Sequence, residues 1–252
     1  MVYCCITVKN ENKYLKEWVE YHLNIGIGKI FIIDNNDIDG EVITDIDYIN
    51  ECVKNYKVFI INKRGENFDK KEFYKKIYRE VMFNHNNWLL LLDIDEFLID
   101  ENNQLSNILF KNRLSVIDII NIPCYIVSDN NIITVENNNY SVLDRFINRT
   151  NAIYTSRSLI RGKSKKLEWL DKNGPDNNYT EKIENNNIYI NKYITKSAQE
   201  WCEKIEKNNY SNIQDKIDEY FKYNEYSEEK ENYLCERLNI QHKSEAEIIL
   251  ND

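Results

Sequence analysis

Proline is nearly absent from this chain, with 2 in 252 residues, and glycine is scarce at 6. Both scarcities accompany an Asn-, Ile- and Lys-rich texture that reads as base composition and points to no function. Other shortages exclude more. Lys and Arg number 33 against 42 Asp and Glu, a formal charge of -9. That deficit disfavours nonspecific nucleic-acid binding, because neutralising phosphates takes clustered cations. The six cysteines, at 4, 5, 52, 124, 202 and 235, contain no C-x-x-C pair, and no His stands at zinc-finger spacing. A reduced, cytoplasmic chain is the expectation. No apolar run approaches the ~20 residues of a membrane-spanning helix, so no transmembrane segment is expected and any membrane contact would be peripheral. Val2 to Val8 is too short and too uncharged at its start for a signal peptide. There is no internal repeat and no Pro/Ser linker.

Hydrophobic residues at 42% and aromatics at 12% argue for a folded chain despite 30% charged residues. The first half alternates strand and helix signals, the pattern of an α/β fold with a mostly parallel sheet. Val2–Val8 reads as a strand. Tyr14, Leu15, Trp18, Val19, His22 and Leu23 then recur at helical spacing until Gly26 and Gly28 stop them. Lys29–Asp34 and Tyr56–Ile61 read as strands, Phe73–Phe83 as a helix, and Leu89–Leu92 as a buried strand. Each strand ends in polar residues, at Lys9-Asn10-Glu11, Asp34-Asn35-Asn36, Asn62-Lys63-Arg64 and Asp93-Ile94-Asp95. Ligands of open α/β sheets bind beyond the carboxyl ends of the strands, so these clusters outline one crevice.

The second half is less regular. Val116–Pro123, Ile132–Val135, Tyr140–Asn148 and Ile188–Ile194 read as strands. Arg157 to Asn178, basic and containing Gly162 and Gly174-Pro175, reads as a loop and a lid over the crevice. Helices are expected from Ser197, near Asn212 and near Ser227. Residues 1–196 are expected to form one domain, with 1–100 the nucleotide-binding half and 101–196 the acceptor half. Residues 197–252 would be helices packed on it or used for homo-oligomer contacts.

The most informative stretch is Trp88-Leu89-Leu90-Leu91-Leu92-Asp93-Ile94-Asp95-Glu96-Phe97-Leu98. Acids are rarely buried unless paired or metal-bound, so three carboxylates at the end of an apolar strand require a cation. Alternation along a strand would aim Asp93 and Asp95 to one side. Two such carboxylates suit Mn²⁺ or Mg²⁺, which complete their shells with water and substrate phosphates. A haloacid-dehalogenase-type phosphatase expects Thr or Val where Phe97 stands. An EF-hand fails because Phe97 occupies its third ligand position.

These residues carry a resemblance. Lys9-Asn10-Glu11 with Tyr14-Leu15-Lys16-Glu17-Trp18-Val19-Glu20-Tyr21-His22, then Asp34-Asn35, then Asp93-Ile94-Asp95-Glu96-Phe97, resembles glycosyltransferase family 92 and its family-2-like relatives. Tyr193-Ile194-Thr195-Lys196-Ser197, with Trp201 and Lys204, is similar to a fourth block of that family. The resemblance implies a GT-A fold with a C-terminal helical extension, a nucleotide-sugar donor such as a UDP-sugar, and inverting transfer to a glycan hydroxyl. It implies that Asp95 holds the divalent cation, with Asp93 on the metal or the donor ribose. Asn10, Glu11 and Asp34 would receive the nucleoside, with Arg64 at the neighbouring strand end.

Cations stabilise charge developing on a diphosphate leaving group. Arg157 and Arg161, with Lys163, Lys165 and Lys166, would supply them, as would Lys192 and Lys196; a solvated basic loop is the plain alternative. Inversion needs a base, for which Asp129, Glu168, Asp171 and Asp176 are candidates, with Asp129 and Asp171 preferred. Trp18, Tyr21 and His22 read as packing and hydrogen bonding. Lys192 stands where the family has a His metal ligand, and a protonated Lys cannot ligate. Either Asp95, water and diphosphate hold the metal alone, or the ammonium replaces part of its charge. The rival reading is a catalytically silent GT-A-fold binding protein, and a metal-dependent phosphatase ranks third.

Overall fold

The computed structural model describes residues 1–134, 141–169, 178–183, 187–208, 210–225 and 227–238. Its strands are β1 (Val2–Val8), β2 (Lys29–Asp34), β3 (Val58–Asn62), β4 (Trp88–Leu91), β5 (Glu96–Asp100), β6 (Ile119–Ile126), β7 (Thr155–Arg161), β8 (Thr180–Lys182) and β9 (Ile188–Lys192). The α-helices are α1 (Asn12–Asn24), α2 (Asp47–Lys54), α3 (Lys70–Val81), α4 (Gln104–Lys111), α5 (Val142–Arg145), α6 (Ala198–Asn208), α7 (Ile213–Tyr223) and α8 (Glu228–Leu238). The sheet order is β3-β2-β1-β4-β7-β6-β9-β5, with β8 beside β6. β3, β2, β1 and β4 run parallel, whereas β7 pairs antiparallel with β4 and β6, and β9 with β5. The expected α/β architecture is therefore observed, with helices following residue 197.

The chain divides into two compact units, Met1–Tyr125 with Ala152–Lys192, and Ile126–Asn151 with Tyr193–Asp252. In the first, Cys5, Phe31, Ile33, Leu89 and Leu91 pack against Tyr74, Ile77 and Tyr78 of α3 and the following Met82. Strand alternation turns Cys4, Ile6, Ile30, Ile32 and Leu90 to the other side, and all five are buried. Strands buried on both faces need apolar residues throughout, as β1, β2 and β4 have. The stripe of α1 buries Tyr14, Leu15, Trp18, Val19 and His22, and the helix ends before Gly26, whose φ of 96° is left-handed. Trp18 Nε1 donates to the Glu96 carbonyl, Tyr21 Oη donates to that of Leu98, and the Leu98 N–H donates to His22 Nε2. The trio thus has the packing and hydrogen-bonding role expected, each bond contributing about 0.5–1.5 kcal/mol. It anchors β5, whose first residue is Glu96.

The second unit buries Ile126, Ile194, Ala198, Trp201, Cys202, Ile205, Ile217, Tyr220, Leu234, Cys235 and Leu238 together. All six cysteines are free and buried. No helix among the described residues is long and apolar enough to cross a membrane.

Several local expectations are corrected. Residues 157–161, read as part of a loop, complete β7, because Leu159 and Ile160 pair with β4 on one side and β6 on the other. The strand expected over 140–148 is replaced by the short α5, where Ser141 caps by accepting from the Asp144 N–H. Residues 132–134 form no strand, and 135–140 lie outside the described residues. The N-cap position of α1 falls on Glu11, which makes no side-chain cap bond. Helices α2 and α4 and strand β5 were not foreseen.

Candidate active site

β4 ends at Leu91, and Asp93-Ile94-Asp95 forms the turn into β5. The turn is locked by reciprocal bonds: the Glu96 N–H donates to the Asp93 carbonyl at 3.0 Å, and the Asp93 N–H donates to Glu96 Oε2 at 3.0 Å. Strand alternation therefore does not set the side-chain directions. The turn brings three carboxylates, Asp93, Asp95 and Glu96, within 4.8 Å of one another. Their environments differ: the Asp93 side chain is 54% exposed, that of Asp95 11% and that of Glu96 0%. Glu96 is the fully buried member of the cluster.

Two cations hold it. Arg157, in β7, donates from Nε to Glu96 Oε2 at 2.9 Å, and from Nη2 to Glu96 Oε1 and Asp93 Oδ2, both at 2.7 Å. Lys192, the last residue of β9, lies directly opposite Glu96 in the antiparallel ladder. Its Nζ donates to Glu96 Oε1 at 2.7 Å, Asp93 Oδ2 at 2.9 Å and Asp95 Oδ1 at 3.3 Å. Burial works to lower the Lys192 pKa, but Asp95, Glu96 and Asp93 overcome it and raise the value above that of a free lysine. Arg157 is likewise raised, by Glu96 and Asp93 against burial. Both stay charged, which a buried carboxylate such as Glu96 requires. Three acids against two cations leave one negative charge, and Asp93 is the exposed member.

The oxygen-rich trio has the donor chemistry of a hard-cation site. The arrangement of its partners does not fit one. An ion about 2.1 Å from these carboxylate oxygens would meet the Lys192 ammonium, already within 3.3 Å of one oxygen on each acid. Like charges that close repel strongly in a partly buried site.

A second cluster lies at the carboxyl ends of β1, β2 and β3. Asp34 is buried, its Oδ1 accepting from the Asn36 N–H and its Oδ2 facing Arg64 Nη1 at 3.4 Å. Arg64 otherwise spends its guanidinium on the carbonyls of Asp37, Ile38, Gly40 and Glu41. It shapes that loop. Asn10, at a left-handed φ of 56°, donates its N–H to Asn36 Oδ1 at 2.6 Å and its Nδ2 to Asp37. Asn36, fully buried, also donates to Asn12 Oδ1. Asn36 belongs to the polar strand end Asp34-Asn35-Asn36, of which only Asp34 is expected as a nucleoside contact; its burial and its bonds to Asn10 and Asn12 make it the centre of this cluster. Glu11 sits half-buried beside this cluster in the chain.

Other candidates stand elsewhere. Arg161 is at the opposite end of β7, in register with Trp88 at the start of β4. Its guanidinium bonds the Asn112 and Ser115 carbonyls and stacks over the Trp88 ring at 4.8 Å, so it is a packing residue, not a donor contact. Asp129 belongs to the second unit and is sealed there: Tyr220 Oη donates to its Oδ2 at 2.5 Å, and Lys230 Nζ is 2.9 Å from the same oxygen. A base must reach a hydroxyl from solvent, and Asp129 is 1% exposed. Lys196, also in the second unit, is buried, and its charge helps lower the Glu200 pKa; burial opposes that shift, while Arg145 leads the groups that produce it. Glu168 is exposed. Asp171 and Asp176 lie outside the described residues.

No family model matches the chain. Among curated proteins, it is 30% identical over 110 residues to a glycosyltransferase family 92 protein of Oryza sativa subsp. japonica, covering 43% of this chain and 18% of that one. It is 43% identical over 49 residues to a family 92 protein of Ricinus communis, covering 19% of this chain and 8% of that one. The chain thus spans under a fifth of either relative. Solved structures overlap it weakly. S. aureus TarS 1-349 covers 95% of this chain and 71% of its own, at 12% identity and a TM-score of 0.43. The mannosyltransferase PcManGT from Pyrobaculum calidifontis, in complex with GDP-Man and Mn2+, covers 48% of this chain and 34% of its own, at 8% identity and 0.36. The resemblance to family 92 read from the motifs agrees with the two curated relatives of that name.

Proposed function

We propose that this chain is a glycosyltransferase domain that moves a sugar from a nucleotide-sugar donor, a UDP-sugar, to a hydroxyl of a glycan acceptor with inversion. The observation that carries this reading is the convergence of Asp93, Asp95 and Glu96 with Arg157 and Lys192 beyond β4, beside the Asp34 cluster at the ends of β1 to β3. The motif blocks and the two curated relatives named for family 92 support it.

In this reading the nucleoside lies against Asn10 and the Asp34–Asn36 strand end. The exposed Asp93 carboxylate accepts from hydroxyls of the donor's ribose or sugar. Arg157 and Lys192 face the diphosphate, where charge develops as the sugar–phosphate bond breaks, and fixed cations there cost no reorganisation. Asp95 orients Lys192. The resemblance implies a Mn²⁺ or Mg²⁺ ion, but the crowding around Lys192 leaves no step for it here. Glu168, Asp171 and Asp176 are the remaining base candidates.

The experiment is nucleotide release from a panel of UDP- and GDP-sugars by purified protein, with Asp95→Ala as control. Release lost in the variant supports transfer. A second reading, a silent GT-A-fold binding protein, is favoured by the fact that all three acids already have cationic partners. It predicts nucleotide binding with no release from any donor.

A further inference from the structure

We infer that Lys192 is the resident cation of this site, its ammonium standing at the centre of the Asp93, Asp95 and Glu96 carboxylates in the place of a divalent metal. The nucleotide part of the inference rests on the proposed function; the metal part rests on geometry alone. The ammonium reaches one oxygen of every acid in the trio, at 2.7, 2.9 and 3.3 Å, as one ion would. Its position is not left to a flexible stem. Lys192 is held in the β9 ladder opposite Glu96, and its side chain is 13% exposed. Arg157 takes both Glu96 oxygens and Asp93 Oδ2, so with Lys192 on Asp95 Oδ1 four of the six carboxylate oxygens already face fixed cationic donors.

A divalent ion brings two positive charges and the ammonium one. The difference remains on Asp93, exposed and suited to accept from hydroxyls. The site therefore grips the hydroxyl-bearing part of its ligand through Asp93 and meets the diphosphate with cations that no chelator removes.

The test has two arms. Mn²⁺ is titrated into nucleotide-free protein and followed by the electron paramagnetic resonance of the free ion. UDP binding is then measured calorimetrically in EDTA and in Mn²⁺. Wild-type protein is expected to take up no stoichiometric Mn²⁺ and to bind UDP within about twofold in both buffers. Lys192→His, which replaces the ammonium with a ligand nitrogen, is expected to take up one equivalent of Mn²⁺ and to lose about tenfold in UDP affinity in EDTA. Stoichiometric Mn²⁺ uptake by wild type that Asp95→Ala abolishes would overturn the inference, as would a wild-type UDP affinity about tenfold weaker in EDTA. If Lys192→His does not fold, the wild-type arms decide. If UDP binds in neither buffer while wild type excludes Mn²⁺, the nucleotide-sugar reading fails and the resident cation stands.

Discussion

Each of the two units holds a lysine against carboxylates, and the two arrangements differ in what they leave over. In the second unit the side chains of Lys230 and Asp129 are 1% and 2% exposed, one charge cancels the other, and Tyr220, Asn131 and the Glu225 carbonyl take up remaining bonding capacity. In the first unit Lys192 and Arg157 face three acids, one charge is unmatched, and Asp93 is open to solvent. A balanced, sealed pair has nothing to offer a ligand and serves the fold. An unbalanced, half-open one keeps a charged group within reach of a ligand, the arrangement expected of a functional site.

The sharpest way to break this contrast is Lys230→Met. Removing one member of a sealed pair should cost about 3–5 kcal/mol in urea unfolding, and Asp129→Leu added to it should recover most of the loss. A single variant as stable as wild type would remove the structural role assigned to the pair. Asp93→Asn probes the other side. Its unfolding free energy should move by less than about 1 kcal/mol, as for exposed ion pairs, while nucleotide release from the donor falls about 10²–10³-fold. Equal losses in both measurements would make the two clusters the same kind of object.

His22 sharpens the comparison with an uncharged buried group. Its Nδ1 bonds the Trp18 carbonyl and its Nε2 accepts from the Leu98 N–H, so both nitrogens are committed in the neutral ring. Burial lowers its pKa from 6.5 to about 3, against the Trp18 bond that raises it. The unfolded chain therefore binds a proton that the folded chain refuses between those values. Stability contributed by His22 is complete above pH 6.5 and falls as pH drops towards 3, by up to about 1.4 kcal/mol per pH unit. His22→Gln should flatten unfolding free energy against pH in that window. The smallest effect is expected at the exposed Arg237–Glu206 pair, where Arg237→Ala should change stability by under about 1 kcal/mol and less still in high salt.

What could be read from the chain follows from where the signals are local. Asp93 and Asp95 were legible because four leucines before them announce a buried strand about to end. Glu96 was undervalued because strand alternation sends it away from its neighbours, and only a closed turn brings it back. Arg157 and Arg161 looked alike as basic residues of one segment. Four residues along a strand separate them by about 13 Å, enough to put one at the carboxylates and the other behind Trp88. Asp129 looked available among polar neighbours because its partner Lys230 is 101 residues away. The alternation of strands and helices in the first half was legible apart from α2, β5 and α4, which are short; β7 was hidden because only Leu159 and Ile160 mark it between basic residues.

The ladder that sets Lys192 against Glu96 joins residues 96 apart in the chain. Pairings of such separation form late, after local and nearer contacts have closed the intervening loop. Until β9 docks, the turn after β4 presents acids without their lysine, and their negative charge draws in the ammonium that completes them. Docking of β9 should therefore slow with added salt, which screens those acids from the approaching lysine.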